Sequence, residues 1–227
     1  MRLARAVGLA AALLRASCCA AAAETVDLQL VLAVDVSGSV DQSRFELQRD
    51  GYAAAFRSRQ VLNAIRSGST QAIAVTMVQW TGPELQVQVI PWTLIRDAVG
   101  AEAFARAIET SPRQLFSGGT SISGAIDFSI RLFPQSPHRG LRRVIDVSGD
   151  GHNNRGRPAA IARDDAVRAG FVINGLPILA LEPALDRYYW NHVIGGAGSF
   201  MVAVESYERF PEAVLRKLVQ EIASNDR

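Results

Sequence analysis

The sequence predicts an α/β fold in which a mostly parallel β-sheet is covered by helices on both faces. Short apolar runs typical of buried strands alternate along the chain with segments of helical spacing. The 227 residues are 48% hydrophobic and 20% charged, an ordinary balance for one large folded domain. No linker, low-complexity tract or internal repeat interrupts the sequence after residue 23.

The strands predicted for this sheet differ in their burial. Leu28 to Val34 is apolar throughout, as expected for a strand buried on both faces. Leu85 to Ile90 alternates between apolar and polar residues, which indicates a half-exposed strand at the edge of the sheet. The other four strands are predicted at 72–80, 142–147, within 171–181 and at 200–204. The result is a Rossmann-like, doubly wound sheet of six strands with one antiparallel edge strand.

Segments with helical spacing separate the predicted strands. Asp41 lies near the start of the first helix, where its carboxylate can accept from free backbone N–H groups. Pro134 closes the third helix and Gly170 stops the fourth. The helices are predicted at 41–57, 102–109, 121–133, 158–169 and 210–223. Ligands of such folds bind beyond the carboxyl ends of the strands, so the loops after the strands are where a functional site is expected.

The first 23 residues have the layout of a secretory signal peptide. Two arginines precede a nine-residue apolar run, Ala6 to Leu14, which is too short to span a bilayer, and a tract of small residues ends at Ala23. We therefore predict a signal peptide at 1–23, a domain at 24–227, no membrane span and a secreted or periplasmic location. A helical or disordered N-terminal extension is the alternative, because Arg15 cuts the apolar run short.

Removing this segment changes the charge and the cysteine content. The full sequence has a net charge of +2, but three basic residues and no acidic ones precede residue 24. The domain therefore retains 21 basic and 22 acidic residues, and nothing in its charge favours a nucleic-acid partner. Cys18 and Cys19 also precede residue 24, so disulfide and thiol chemistry are not expected in the domain. A lipid anchor on either cysteine is a weaker alternative.

Oxygen-bearing residues follow the first predicted strand at alternate positions. Asp35, Ser37 and Ser39 have the spacing i, i+2, i+4, so in extended chain they point the same way. Gly38 allows a tight turn between the two serines. One carboxylate and two hydroxyls form a ligand set that suits a hard cation such as Mg²⁺.

Two later loops contain residues of the same kind. Thr120 lies in the sequence SGGTSIS at the start of a predicted helix, and Asp150 lies in SGDGHNN after the fourth predicted strand. Taken alone, the first loop is better explained by helix capping and the second by a turn.

Together, the three loops resemble the metal-ion-dependent adhesion site of von Willebrand factor A domains. That site combines an Asp-x-Ser-x-Ser loop, a Thr in a Gly-rich loop that opens a helix, and an Asp-Gly after the fourth strand. The corresponding elements here are DVSGS from Asp35, GGTS from Gly118 and GDG from Gly149. The segments GLPI (Gly175–Ile178) and YYWNHVIGGAGSF (Tyr188–Phe200) are similar to an uncharacterised bacterial family of secreted proteins with one such domain.

The resemblance implies a role for each residue of the set. Ser37 and Ser39 would bind the metal directly, Thr120 directly or through water, and Asp35 and Asp150 mainly through bridging waters. Mg²⁺ is the implied ion, and Mn²⁺ or Ca²⁺ could substitute. Because the direct ligands are neutral, the ion stays electrophilic, and the acidic side chain of a partner protein is the implied further ligand.

Six residues around these loops are candidates for positioning the metal ligands or contacting a partner: Gly38, Gly119, Ser121, Asp146, His152 and Asn153. An unpaired charge in a buried strand is costly, so Asp146 should either support the metal site or pair with Arg142 or Arg143. His152 is either a solvated loop histidine or a pH-sensitive contact.

The predicted function is metal-dependent protein binding rather than catalysis. The alternatives are a structural scaffold that binds no metal and, less favoured, a Mg²⁺-dependent phosphoester hydrolase in which His152 carries a proton. The sequence contains no GxxxxGK[ST] phosphate loop, no GxSxG nucleophile motif and no HExxH zinc motif.

Overall fold

The structure, a computed structural model that describes residues 23–224, contains five strands and seven helices within that range. The strands are β1 (Glu24–Asp35), β2 (Ile73–Trp80), β3 (Gln86–Ile95), β4 (His138–Gly149) and β5 (Val172–Pro177). The helices are α1 (Gln42–Arg57), α2 (Arg59–Arg66), α3 (Ala98–Thr110), α4 (Ile122–Leu132), α5 (Ala159–Arg168), α6 (Leu185–His192) and α7 (Phe210–Ala223). Short 3-10 turns lie at Phe133–Gln135 and Tyr207–Arg209. The predicted signal peptide falls outside the described residues except for residue 23.

The strands form one sheet in the order β3-β2-β1-β4-β5, and only the β2–β3 pair is antiparallel. Central β1 is buried on both faces because its side chains alternate between two cores. Leu28, Leu30 and Leu32 pack into the core that includes residues of α1, α2, α3 and α7. Val31 and Ala33 pack into the core on the other face, under α4, α5 and α6. The predicted α/β fold with a mostly parallel sheet is confirmed.

The predicted edge strand is also confirmed, as β3. It pairs antiparallel with β2, from Ile73 opposite Ile95 to Trp80 opposite Gln86, and most of its residues are partly exposed. Pro91 is tolerated in this strand because one side of an edge strand needs no backbone donor.

The prediction of a sixth strand at 200–204 is wrong. This segment runs beside β5 but makes only isolated bridges, at Met201 and Val204. The Gly175 N–H donates to the Phe200 carbonyl at 3.1 Å, but two residues later Pro177 has no N–H with which to continue the ladder. The pairing is therefore interrupted after one bridge.

The strand order places a crevice at the centre of the sheet. From β1 the chain proceeds to β2 on one side, and β4 later pairs on the other side. The carboxyl ends of β1 and β4 therefore mark the point where the strand order reverses, which is the usual ligand position in open α/β sheets. Asp35 ends β1, and Gly149, the residue before Asp150, ends β4.

A cluster of fully buried charges joins β4 to α7. Lys217 Nζ lies 2.6 Å from an oxygen of Asp146 and 2.7 Å from an oxygen of Glu221. Asn174 Nδ2 donates to the other Glu221 oxygen at 2.7 Å. Burial raises the pKa of Asp146 to about 7 against the attraction of Lys217, and Glu221 adds a second negative charge. Lys217 is the only lysine in the sequence.

This cluster shows that the predicted pairing of Asp146 with Arg142 or Arg143 is wrong, because its carboxylate lies against Lys217 instead. Arg142 instead donates to the carbonyls of Glu221 and Ile222 near the end of α7. Arg143 donates to the Ala169 carbonyl at the end of α5. Both arginines therefore satisfy carbonyl groups that a helix leaves free at its C-terminus.

Candidate metal centre

Asp35 is fully buried at the end of β1 and is only partly hydrogen-bonded. Its Oδ1 accepts from the Ser37 backbone N–H at 2.7 Å, which draws the following loop back over the strand end. Its main-chain oxygen accepts from Gln48 on α1 at 3.2 Å. Asp35 Oδ2 has no hydrogen-bond partner among the described residues. A buried, unpaired carboxylate oxygen is costly, so this atom is a candidate ligand for a cation or for a bound water.

Three more of the predicted site residues form a continuous chain of contacts. Ser37 Oγ lies 3.2 Å from Ser39 Oγ, and Ser39 Oγ donates to Asp150 Oδ1 at 2.6 Å. Ser37 and Asp150 are each only 1% exposed. Asp35, Ser37, Ser39 and Asp150 are therefore gathered in the crevice between β1 and β4.

Thr120 belongs to the adjacent loop, which is tied to the loop after β4. Its N–H donates to Asn154 Oδ1 at 3.0 Å, and its carbonyl accepts from the Asn154 N–H at 2.9 Å. A Cβ placed on Gly151 would lie 3.9 Å from Thr120 Oγ1. Gly118 and Gly119, just before Thr120, have φ values of +123° and +81°, which favour glycine over other residues. The Gly-Gly pair therefore shapes the turn that places Thr120 beside Gly151.

The electrostatics of the crevice favour a cation. Burial and, to a lesser extent, the negative charge of Asp150 raise the pKa of Asp35 to about 7. The nearest arginines bind backbone oxygens of the same loop: Arg44 donates to the Ser39 carbonyl at 2.6 Å, and Arg113 donates to the Ser37 carbonyl at 3.1 Å. Within residues 23–224, neither of these two close carboxylates forms a salt bridge with a basic side chain, and a bound dication would stabilise the ionised form of both.

The donor set fits a hard cation. It consists of carboxylate and hydroxyl oxygens, which Mg²⁺ prefers over nitrogen or sulfur ligands. Within residues 23–224 there is no group of three or more His, Cys, Asp or Glu side chains that could hold a metal ion. A metal ion in this crevice would therefore be bound by two carboxylates together with hydroxyl oxygens and water. Asp35 Oδ2, which accepts no hydrogen bond from the described residues, is available to bind the ion or a water.

Three of the other predicted residues support the loops. Ser121 caps α4 by accepting from the Gly124 N–H at 3.1 Å. Asn153 Oδ1 accepts from the Ser123 N–H at 3.0 Å, which joins the α4 start to the loop after β4. Gly119 provides the turn described above. Gly38, in contrast, has a negative φ and open space around it, so its turn does not require glycine.

His152 is a surface residue with a specific neighbour. Its Nδ1 lies 2.9 Å from Glu182 Oε1, and its side chain is 53% exposed. The structure therefore places it at the rim of the crevice, paired with a carboxylate.

Tyr207 also contacts the candidate metal centre, and no sequence motif predicts this position. Its hydroxyl donates to Asp150 Oδ2 at 2.8 Å, and the residue is 3% exposed. Burial and the charge of Asp150 raise the pKa of Tyr207, which keeps its hydroxyl protonated as a donor. Tyr207 and Asp150 are 57 residues apart in sequence, and no local pattern connects them.

We expect Tyr207→Phe to lower the free energy of unfolding by about 1.5–3 kcal/mol, because a buried carboxylate loses a hydrogen bond. Urea denaturation would measure the change. Tyr188→Phe is the matched control, since its hydroxyl is half-buried and accepts only a long 3.3 Å bond from the Asn153 N–H. Equal stability of the two variants would contradict a positioning role for Tyr207.

The fold and the arrangement of these three loops are similar to those of solved von Willebrand factor A proteins. The mussel byssus protein PTMP1 (proximal thread matrix protein 1) is similar at 14% identity with a TM-score of 0.63, over 87% of this chain and 48% of that one. A von Willebrand factor type A protein from Catenulispora acidiphila is similar at 17% identity with a TM-score of 0.58, over 88% and 44%. The chain thus spans about half the length of these two proteins.

The chain belongs to the family described as a protein of unknown function, DUF1194, whose model matches residues 25–226. The conserved hypothetical protein BatB from Bacteroides thetaiotaomicron has a similar fold, at 19% identity and a TM-score of 0.58, over 87% of this chain and all of BatB. One structure of the mussel protein, 13% identical to this chain, has a zinc-occupied MIDAS (metal-ion-dependent adhesion site) motif. A search of curated proteins finds no match. No helix within residues 23–224 is long and apolar enough to cross a membrane.

Proposed function

We propose that this protein is a binding module that holds Mg²⁺ in the crevice between β1 and β4 and uses it to capture a carboxylate of a partner protein. Asp35, Ser37, Ser39, Thr120 and Asp150 would hold the ion, directly or through water. Because residues 1–23 are predicted to be a signal peptide, we propose that the protein acts in the periplasm or outside the cell.

The observation that carries this proposal is the contact chain from Ser37 through Ser39 to Asp150, beside the unpaired Oδ2 of Asp35. Two carboxylates balance the charge of one dication. Hydroxyl groups and water add no further negative charge, so the bound ion would stay attractive to an outside anion. A carboxylate is the anionic group that proteins present most often, which makes an acidic side chain the natural ligand.

We expect calorimetric titration of the purified protein with Mg²⁺ or Mn²⁺ to show one site per chain. A Mg²⁺ concentration about 100-fold above the Kd should raise the free energy of unfolding by about 2.7 kcal/mol, because the ion binds only the folded state. A variant carrying both Ser37→Ala and Asp150→Ala should lose the binding and the stabilisation.

The matched control carries Ser43→Ala and Asp50→Ala, which change the same residue types on the exposed surface of α1. It should bind Mg²⁺ as the unaltered protein does. If the unaltered protein shows neither heat of binding nor stabilisation, the metal-binding part of the proposal is wrong and the scaffold alternative is favoured.

A further inference from the structure

A large apolar side chain is displayed next to the candidate metal centre. Phe116 is 64% exposed in the loop that leads to Gly118, Gly119 and Thr120. Leu85, which is 41% exposed, touches the same loop, because a Cβ placed on Gly118 would lie 2.5 Å from Leu85 Cδ1. Aromatic side chains such as phenylalanine are enriched where one protein binds another.

Arg113 holds Phe116 beside the metal-binding loop. Its Nη2 donates to the carbonyls of Val36 at 2.8 Å and Ser37 at 3.1 Å, and its Nε donates to the Leu115 carbonyl at 2.9 Å. The guanidinium carbon lies 5.0 Å from the centre of the Phe116 ring, a cation–π distance. The Arg113 guanidinium group therefore lies between the Phe116 ring and the Ser37 backbone, and Phe116 remains largely exposed.

The charges around this ring favour an acidic partner. Arg155 lies against Gly119, since a Cβ on that glycine would be 2.6 Å from Arg155 Cγ. Within residues 23–224, neither Arg113 nor Arg155 forms a salt bridge with a carboxylate. The carboxylates of the candidate metal centre would balance only the dication, so the two guanidinium groups remain available to the negative charges of a partner.

We propose that Phe116, Arg113 and Arg155 form a docking surface for an acidic peptide segment in which a large apolar residue adjoins the metal-binding carboxylate. The inference rests on the proposed function, because the carboxylate needs the bound ion. The surface is continuous with the candidate metal centre through the Ser37 carbonyl and Gly119, so neighbouring residues of one short segment can reach both. Arg113 fixes the Phe116 ring in advance, which lowers the entropy lost on binding.

The test uses short peptides of defined sequence. Acetylated and amidated tetrapeptides Gly-Asp-Phe-Gly and Gly-Phe-Asp-Gly are compared with the same peptides containing Ala in place of Phe. Their affinities for the protein are measured by NMR titration in Mg²⁺ and again with a chelator. We expect the better Phe peptide to bind about five- to tenfold more tightly than its Ala counterpart in Mg²⁺, from burial of apolar surface.

Two variants and one control locate the effect. Phe116→Ser should remove the preference for Phe while keeping the Mg²⁺-dependent binding of the Ala peptides. Arg155→Gln should weaken all four peptides by about two- to fivefold and keep the preference. Leu141→Ser is the matched control, because Leu141 is 63% exposed near the opposite end of β4. It should change neither quantity.

The outcomes separate this inference from the function on which it rests. Equal affinity for Phe and Ala peptides, with binding that still depends on Mg²⁺, overturns the docking surface and leaves the proposed function standing. A Phe preference that persists in Phe116→Ser also overturns it. Absence of Mg²⁺-dependent binding for all four peptides overturns both.

Discussion

Replacing Lys217 with methionine should lower the free energy of unfolding by about 3–5 kcal/mol, the usual cost of removing one partner from a buried ion pair. Lys217 lies within ion-pair distance of two buried carboxylates, those of Asp146 and Glu221. The charges of Asp146 and Glu221 raise the pKa of Lys217 despite its burial, so the ammonium group remains charged in the folded protein. Methionine has a similar length, so the variant removes the charge without opening a large cavity.

Arg216→Met is the matched control for this prediction, because Arg216 is the preceding residue of α7 and is exposed. It should change stability by less than about 0.5 kcal/mol. Combining Lys217→Met with Asp146→Asn and Glu221→Gln should recover at least half of the loss, since no buried charge then lacks a partner. Chemical denaturation of the four proteins would measure these differences. A Lys217→Met variant as stable as the unaltered protein would show that the cluster does not depend on its ammonium group.

The second large effect is expected at the candidate metal centre, where Asp35→Asn should change metal affinity and stability in opposite directions. The affinity for Mg²⁺ should fall by about 100-fold, because one of two carboxylates becomes neutral. In the presence of a chelator, the variant should be up to about 4 kcal/mol more stable than the unaltered protein near neutral pH. The reason is that ionised Asp35 is buried beside Asp150 with one oxygen unpaired.

The stability difference should depend on pH with a defined sign. The pKa of Asp35 is raised from its ordinary value of 3.8 to about 7 by burial and by Asp150. Between these two values the folded state holds the proton more tightly than the unfolded state. The stability of the metal-free protein therefore falls as the pH rises through this window, by up to about 1.4 kcal/mol per pH unit from this group. The asparagine side chain of the Asp35→Asn variant does not titrate. The extra stability of this variant over the unaltered protein should therefore vanish near the ordinary pKa of 3.8 and be fully present above the raised pKa of about 7.

Denaturation across this pH range, with Asp50→Asn as an exposed control, would test the prediction. The control should follow the unaltered protein at every pH. An Asp35→Asn variant that binds Mg²⁺ normally would exclude Asp35 from the site. If the variant is instead less stable at neutral pH in chelator, the hydrogen bond from the Ser37 N–H to a charged acceptor stabilises the fold by more than the buried charge destabilises it. Together these results would show whether the Asp35 carboxylate lowers the stability of the metal-free protein while it raises the affinity for Mg²⁺.

Those residues of the candidate metal centre that belong to short loop motifs could be predicted from the sequence. The spacing of Asp35, Ser37 and Ser39 after an apolar strand is a pattern within one short segment, and the structure gathers these residues as the pattern suggests. Gly119 and Asp150 also belong to short motifs with recognisable turn chemistry. Tyr207 belongs to no such motif, because its link to Asp150 exists only when the segment before α7 packs against the end of β4.

The class of fold, the edge position of β3 and the loops that carry the candidate ligands could all be predicted from local sequence patterns. These features follow from the periodicity of apolar residues and from turn residues, both of which act over a few positions. Three features arise only from packing between distant segments: Asp146 pairs with Lys217, Tyr207 binds Asp150, and the segment 200–204 does not form a strand. Each of these depends on which distant groups meet. A buried charge takes the partner that packing brings near, and a missing N–H interrupts a ladder only once a neighbouring segment is in place.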